Sequence, residues 1–219
     1  MIKVYNTLTR QLEEFKTIEP GVVRWYNCGP TVNGRMHLGH ARSAVSFDTI
    51  RRYLEYRGHK VQYVMNFTDI EDRMIEVANK EKRAVLEVAE EYLRYFRKDM
   101  KDMNIKEATV SPRAMLHINH MIEFIKKLEG KGYAYENNGD VYFDIRKFEE
   151  YGKLSNQKLE NVLENTEDAE NPNKRFPADF ALWKKKKQGE PYWTSPWGEG
   201  RPGWHSECVL MSSLYLVNP

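Results

Sequence analysis

The residues best suited to chemistry in this 219-residue chain are two histidines, in His37-Leu38-Gly39-His40, and two cysteines, Cys28 and Cys208. Two imidazoles at positions i and i+3 lie on one side of a helix's first turn. The start of a helix also presents free N–H groups and a positive partial charge, so it favours phosphates. The imidazoles can then donate hydrogen bonds to a phosphoryl group, and Gly39 between them lets a flat base approach the backbone closely. The bare four-residue pattern also fits two surface histidines near a helix end, so its surroundings decide. The cysteines alone leave three readings open: buried thiols, a nucleophile or metal ligands. Their spacing carries no motif by itself.

The flanking sequence supplies the helix. Val22 to Tyr26 is apolar and β-prone and runs toward Gly29-Pro30, which predicts a buried strand entering a loop. From His37 to about Tyr56, Ala44, Phe47, Ile50 and Leu54 recur at spacings of three and four, one face of a helix that Gly58 ends. Val61 to Met65 is a second β-prone run. Strand, loop, helix and strand make a βαβ unit with a right-handed crossover expected. The histidines then sit at the carboxyl end of a strand, where open α/β sheets bind ligands.

Farther along, Thr68 and Asp69 are expected to cap a helix near Ile70 to Asn79. Val85, Val88, Tyr92, Phe96 and Met103 define a longer amphipathic helix. After a boundary at Ser111-Pro112, Met115, Ile118, Ile122, Ile125 and Leu128 define another, closed by Gly130 and Gly132. Tyr133 to Tyr135 and Val141 to Phe143 read as short strands joined at Asn138-Gly139, a strong hairpin signal. Lys158 to Arg175 reads as a long loop, and Phe180 to Trp204, rich in Trp, Pro and Gly, as irregular but packed. The architecture expected is an α/β domain interrupted by an α+β insertion from roughly Ser111 to Gly203.

Composition bounds the class. With 41% hydrophobic and 30% charged residues, the chain reads as globular. No apolar run approaches the ~20 residues of a membrane span, and Met1 to Phe15 lacks a signal-peptide core, so a cytoplasmic location is expected. There a disulfide is not expected. The net charge of +2 argues neither for nor against nucleic acid. The densest basic run, Lys184 to Lys187, reads as a solvated face.

Several separated blocks, in order, resemble cysteinyl-tRNA synthetase. They are Cys28-Gly29-Pro30-Thr31-Val32, His37-Leu38-Gly39-His40-Ala41-Arg42-Ser43, Phe47-Asp48 and Asn66-Phe67-Thr68-Asp69-Ile70. The last are Trp193 to Gly198 and Gly200-Arg201-Pro202-Gly203-Trp204-His205-Ser206-Glu207-Cys208. The likeness covers nearly the whole chain. The Gly-Pro-Thr-Val after Cys28 and the Thr-Asp-Ile after Phe67 favour the tRNA enzyme over a ligase of the same fold that joins cysteine to an amino sugar.

The resemblance implies a Rossmann-like class I catalytic domain. Its first half would occupy residues 1–110, a connective insertion 111–203, and the start of its second half 204–219. It implies zinc held by Cys28 and Cys208, with a His and a Glu expected beyond residue 219. It implies a cysteine pocket of Gly29, Thr68 and Trp204, and an ATP site of Thr31, His37, Gly39 and His40, with His37 and His40 catalytic. Asp48 and Arg51 are expected to pack or pair structurally. The partners implied are cysteine, ATP with magnesium, and tRNA(Cys), and a monomer is expected. The family continues with a Lys-Met-Ser-Lys-Ser loop and an anticodon-binding region that this sequence lacks, so the chain reads as a fragment, inactive alone. Smaller departures are Asn33, Glu71 and Arg73, and the tail Tyr215 to Pro219.

Overall fold

The structure is a computed structural model that describes residues 1–157, 170–203 and 206–217. The chain divides into two compact units. One comprises Met1–Lys16 and Ile122–His205, the other Thr17–Met121 and Ser206–Pro219. The polypeptide thus leaves the second unit after Met121 and returns to it at Ser206.

The second unit carries the candidate chemistry. Strand β3 (Val22–Asn27) and strand β4 (Lys60–Met65) pair in parallel, from Val22 opposite Lys60 to Asn27 opposite Met65. Helix α1 (Leu38–Tyr56) connects them, so the expected βαβ unit is present. Trp25 anchors it, meeting Phe47 of α1 and Tyr63 of β4 edge-on at 5.7 and 5.2 Å between ring centroids. Helices α2 (Asp72–Glu81) and α3 (Val85–Asp102) follow. Their buried faces (Met74, Ala78, Val88, Ala89, Leu93, Phe96) close a core with Val32, Tyr63, Met65 and Phe67. The last helix, Ser206–Leu216, here α5, buries Leu210 and Met211. Gln62 Nε2 donates to the Tyr215 carbonyl at 2.8 Å, which ties α5 to β4.

Two boundaries differ from expectation. Helix α2 starts at Asp72, with Glu71 in the N-cap position and no side-chain cap bond. Thr68 and Asp69 do not cap it because their side chains are used elsewhere. Thr68 donates to Glu207, and Asp69 accepts from Arg113 at 2.7 Å and from the Met115 amide at 2.8 Å. The helix expected from Met115 onward is a short 3-10 turn, Ala114–His117, followed by α4 (Ile118–Gly130).

The first unit opens with a hairpin of β1 (Lys3–Asn6) and β2 (Gln11–Glu14). Its main sheet runs in the order β5-β6-β7-β9-β8. These strands are β5 (Ala134–Asn137), β6 (Asp140–Phe143), β7 (Phe180–Lys185), β8 (Trp193–Ser195) and β9 (Gly198–Pro202). Asn138 and Gly139 form the β5–β6 turn with φ of 57° and 85°, as the Asn-Gly signal predicts. The expectation of irregular structure over Phe180 to Trp204 is overturned, because three strands lie there. Glycine conceals the strand in β9: a Cβ on Gly200 would lie 2.3 Å from Trp183 Nε1. The residue is glycine because a buried indole packs over it, not because the chain turns. Part of the loop expected from Lys158 to Arg175 lies outside the described residues.

Candidate functional site

The site is built on the carboxyl ends of β3 and β4. After Asn27 the chain runs Cys28-Gly29-Pro30-Thr31, and after Met65 it runs Asn66-Phe67-Thr68-Asp69. The two loops continue the parallel pairing, since Thr31 bridges Thr68, and the Val32 amide donates to the Thr68 carbonyl at 3.1 Å. Gly29 is held by geometry. A Cβ there would stand 1.6 Å from the carbonyl oxygen of Asn66, so no other residue fits this close approach.

Three buried polar side chains tie these loops to α5. The Gly29 amide donates to Asn66 Oδ1 at 2.8 Å, and Asn66 Nδ2 donates to Thr68 Oγ1 at 3.4 Å. Thr68 Oγ1 in turn donates to Glu207 Oε1 at 2.9 Å. Asn66, Thr68 and Glu207 are all at most 3% exposed, so each bond is made away from water, where leaving it unmade costs most. The chain of bonds runs from the residue after Cys28 to the residue before Cys208. It sets the two cysteines against each other, with their sulfurs 3.3 Å apart across 180 residues of sequence.

The electrostatics of the pair follow from that contact. Hydrogen bonding from Cys208 holds the Cys28 thiol down at about 7. Cys208 moves the other way, raised by the same shared proton and then by burial. The pair therefore gives up its first proton easily and its second with difficulty. Burial pushes the Glu207 carboxyl up to about 8, offset in part by the Thr68 hydrogen bond, and negative charge on Cys208 adds to the rise. Burial and then an interaction with Cys208 raise the Tyr26 hydroxyl, while Glu207 Oε2 is a buried polar atom without a hydrogen-bond partner.

Two sulfurs 3.3 Å apart need to separate by only about 0.5 Å to take two corners of a tetrahedral zinc. Ligands at about 2.3 Å from the metal stand roughly 3.8 Å from each other. A thiol pair that loses one proton near neutrality is also the right donor chemistry. The donor set goes no further, for the described residues contain no group of three or more His, Cys, Asp or Glu side chains placed to hold a metal.

The histidines occupy the start of α1. His37 is its N-cap, with extended backbone, and its Nδ1 accepts from the Gly39 amide at 3.1 Å. The His37 amide donates to His40 Nδ1 at 3.5 Å, so two histidines make the reciprocal bonds that Ser and Glu make in a common capping box. The rings stack, with centroids 3.7 Å apart. Each Nδ1 accepts from a backbone N–H, so each neutral ring carries its proton on Nε2, directed away from the cap. Burial, then the neighbouring His37, lowers the His40 pKa, which favours the neutral donor. Both side chains are exposed and available to a ligand. A Cβ on Gly39 would meet the His37 imidazole at 2.9 Å, a local reason for glycine that adds to the sequence reading.

Sequence reasoning singled out Cys28, Cys208, Gly29 and Thr68, and the structure brings them into one cluster. It places His37, Gly39 and His40 together one loop farther along, with Thr31 between the two groups in sequence. Trp204 lies outside the described residues. Asp48 and Arg51 pair structurally: Asp48 accepts from Arg52 at 2.6 Å, and Arg51 binds Glu55 at 3.1 Å. Asn66 and Glu207 stand in the sequence reading only as motif members, and their roles come from the structure. The signal was present, since an Asn directly after a buried strand and a Glu directly before a cysteine need partners if buried.

Residues 14–219 match the family model described as the class I (C) catalytic domain of tRNA synthetases. The chain belongs to that family. Among curated relatives it is 56% identical over 215 residues to a cysteine–tRNA ligase of Thermococcus onnurineus, covering 98% of this chain and 45% of the relative. The figures for the cysteine–tRNA ligase of Clostridioides difficile are 55% identity, 98% and 46%. For that of Thermococcus kodakarensis they are 55%, 98% and 45%. The chain thus spans about half the length of the relatives it matches. Among the described residues, no helix is long and apolar enough to cross a membrane.

Proposed function

We propose that this chain is the amino-terminal part of a cysteine–tRNA ligase, and that in the whole protein it supplies the cysteine-selecting end and half of the ATP end of the catalytic site. The observation that carries this is the meeting of Cys28 and Cys208 at 3.3 Å, beside buried Thr68, in a family whose matched relatives are named for that activity. A connective insertion at 111–203 would interrupt a catalytic domain formed by 1–110 and 204–219; the return of the chain to the second unit at Ser206 after leaving it at Met121 supports an interruption, while Met1–Lys16 groups with the inserted segment rather than with the rest of 1–110. The whole protein acts in the cytoplasm, as a monomer.

Cys28 and Cys208 would hold one zinc ion, with a His and a Glu from the continuation of the chain. Bound there, zinc supplies a soft Lewis acid that prefers the thiolate of cysteine to the hydroxyl of serine. Shape alone discriminates poorly between such similar side chains. The protein's own part is to position. Gly29 lets its loop close against the Asn66 carbonyl beside the pocket, and Thr68 and Trp204 would wall it. The cysteine carboxylate attacks the α-phosphorus of ATP bound with magnesium, which gives cysteinyl-adenylate and pyrophosphate. The Nε2–H groups of His37 and His40, with Thr31 and Gly39 beside them, face the nucleotide. They stabilise the charge that grows on the phosphoryl oxygens, which is electrostatic work rather than proton transfer. A terminal ribose hydroxyl of tRNA(Cys) then takes the cysteinyl group.

The full-length protein should catalyse ATP–pyrophosphate exchange that depends on cysteine and not on serine. Exchange with neither amino acid, or equally with both, contradicts the reading.

A further inference from the structure

Helix α5 carries Cys208, yet little apolar surface holds it in place. Of its 11 residues only Ser206, Glu207, Leu210 and Met211 are buried, while Val209 and Leu214 stand exposed. Apolar contact has no direction, so Leu210 and Met211 alone cannot fix how the helix lies on β3 and β4. Polar ties at its two ends supply that direction. At the carboxyl end, Gln62 Nε2 donates to the Tyr215 carbonyl at 2.8 Å. His117 Nδ1 donates to the Arg113 carbonyl at 2.7 Å, which leaves Nε2 to accept from the Tyr215 hydroxyl at 2.8 Å. At the amino end, Glu207 Oε1 accepts from Thr68 Oγ1 at 2.9 Å.

The two ends are not equivalent for the sulfur. Tyr215 lies about 10 Å along the helix from Cys208, so a tilt of about 5° about the far tie carries Cys208 by about 1 Å. Metal–ligand distances tolerate only about 0.2 Å. The ties at Tyr215 therefore keep α5 on the sheet without setting where Cys208 sits. Glu207 is the residue next to Cys208, and it grips a fixed post. The Thr68 amide donates to the Pro30 carbonyl at 3.2 Å, and the Thr68 carbonyl accepts from the Val32 amide at 3.1 Å. The backbone of Thr68 is thus locked to the loop that carries Cys28, and its hydroxyl passes that position on to α5.

We propose that Glu207 is a positioning residue for the metal: by accepting from the Thr68 hydroxyl it seats Cys208 against Cys28 and so sets how tightly the pair holds zinc. The assignment rests on the cysteine–tRNA ligase reading above. It gives Thr68 a part in metal binding although Thr68 is not itself a ligand.

The test measures zinc affinity of the full-length protein by competition with a chromophoric chelator, without ATP, cysteine or tRNA. Glu207→Ala and Thr68→Val should each bind zinc about tenfold or more weakly, as loss of a group that orients a ligand does. The double variant should be no weaker than the weaker single variant, since both changes remove the same bond. Glu207→Gln keeps the acceptor and should stay within about twofold of wild type. Tyr215→Phe, which removes only the bond to His117, should lower the melting temperature and leave zinc affinity as it was. Wild-type affinity in Glu207→Ala or Thr68→Val overturns the proposal. So does a Gln variant as weak as the Ala variant, or an equal loss in Tyr215→Phe, which would make the effect one of general loosening. If Glu207→Ala does not fold, Thr68→Val and Glu207→Gln still decide. A folded wild-type protein that binds no zinc instead overturns the reading beneath, so the two failures are distinguishable.

Discussion

The cysteine end and the histidine end of the site are held in opposite ways. Cys28 and Cys208 are brought together by bonds among side chains almost wholly removed from water, through Asn66, Thr68 and Glu207. His37 and His40 stand exposed, and what orients them is their own exchange of bonds with the first turn of α1. The first arrangement depends on long-range packing, since α5 must dock against the β3–β4 unit before the sulfurs meet. The second is local to four residues. Disturbing the cysteine end should therefore damage the fold, whereas disturbing the histidine end should leave the fold and damage the chemistry.

The largest effect should come from Gly29→Ala. Its methyl group would enter the space of the Asn66 carbonyl, and the cost should be about 3 kcal/mol or more, read as a lower midpoint in urea unfolding. A variant as stable as wild type would mean the two loops are not so closely apposed. Asn66→Ala should come next, at about 2 kcal/mol, because it leaves the Gly29 amide without its acceptor. The cysteines should then also lose their proximity, seen as slower formation of a Cys28–Cys208 crosslink with a short bifunctional thiol reagent.

Glu207→Gln sharpens the comparison through pH. The carboxyl is raised in the folded state to about 8, so protonation favours folding. That contribution is complete below the unfolded value near 4.5 and is lost as pH rises through about 8. In metal-free protein, Glu207→Gln should match wild type in melting temperature at pH 5 and exceed it at pH 9. A constant difference across that range would show that Glu207 is not held neutral. The smallest effect on stability should be His37→Ala, about 0.5–1 kcal/mol for a lost helix cap, with adenylate formation slowed far more than the melt is moved.

The same contrast governs what the sequence discloses. The histidine end was legible because helix start, cap and motif are all local, and α1 begins where the motif requires. The βαβ order was legible from periodicity, and the β5–β6 turn from Asn138-Gly139. Residue patterns alone left the cysteines ambiguous; the resemblance paired them, and only the tertiary structure shows the bonds that hold them. Residues 180–202 were misread because Gly200 answers to Trp183 across the sheet, a constraint that no local pattern carries. The start of α2 was misplaced for a like reason, since Thr68 and Asp69 are good caps that distant partners have claimed.

The central claim is that Cys28 and Cys208 bind one metal ion together. The most direct measurement is the thiolate-to-metal charge-transfer band of the cobalt-substituted full-length protein, compared with its Cys28→Ser and Cys208→Ser variants. Two thiolates on one ion predict a band that falls by about half in each single variant that still retains cobalt, and that disappears in the double variant. A band of wild-type intensity in either single variant would contradict the account.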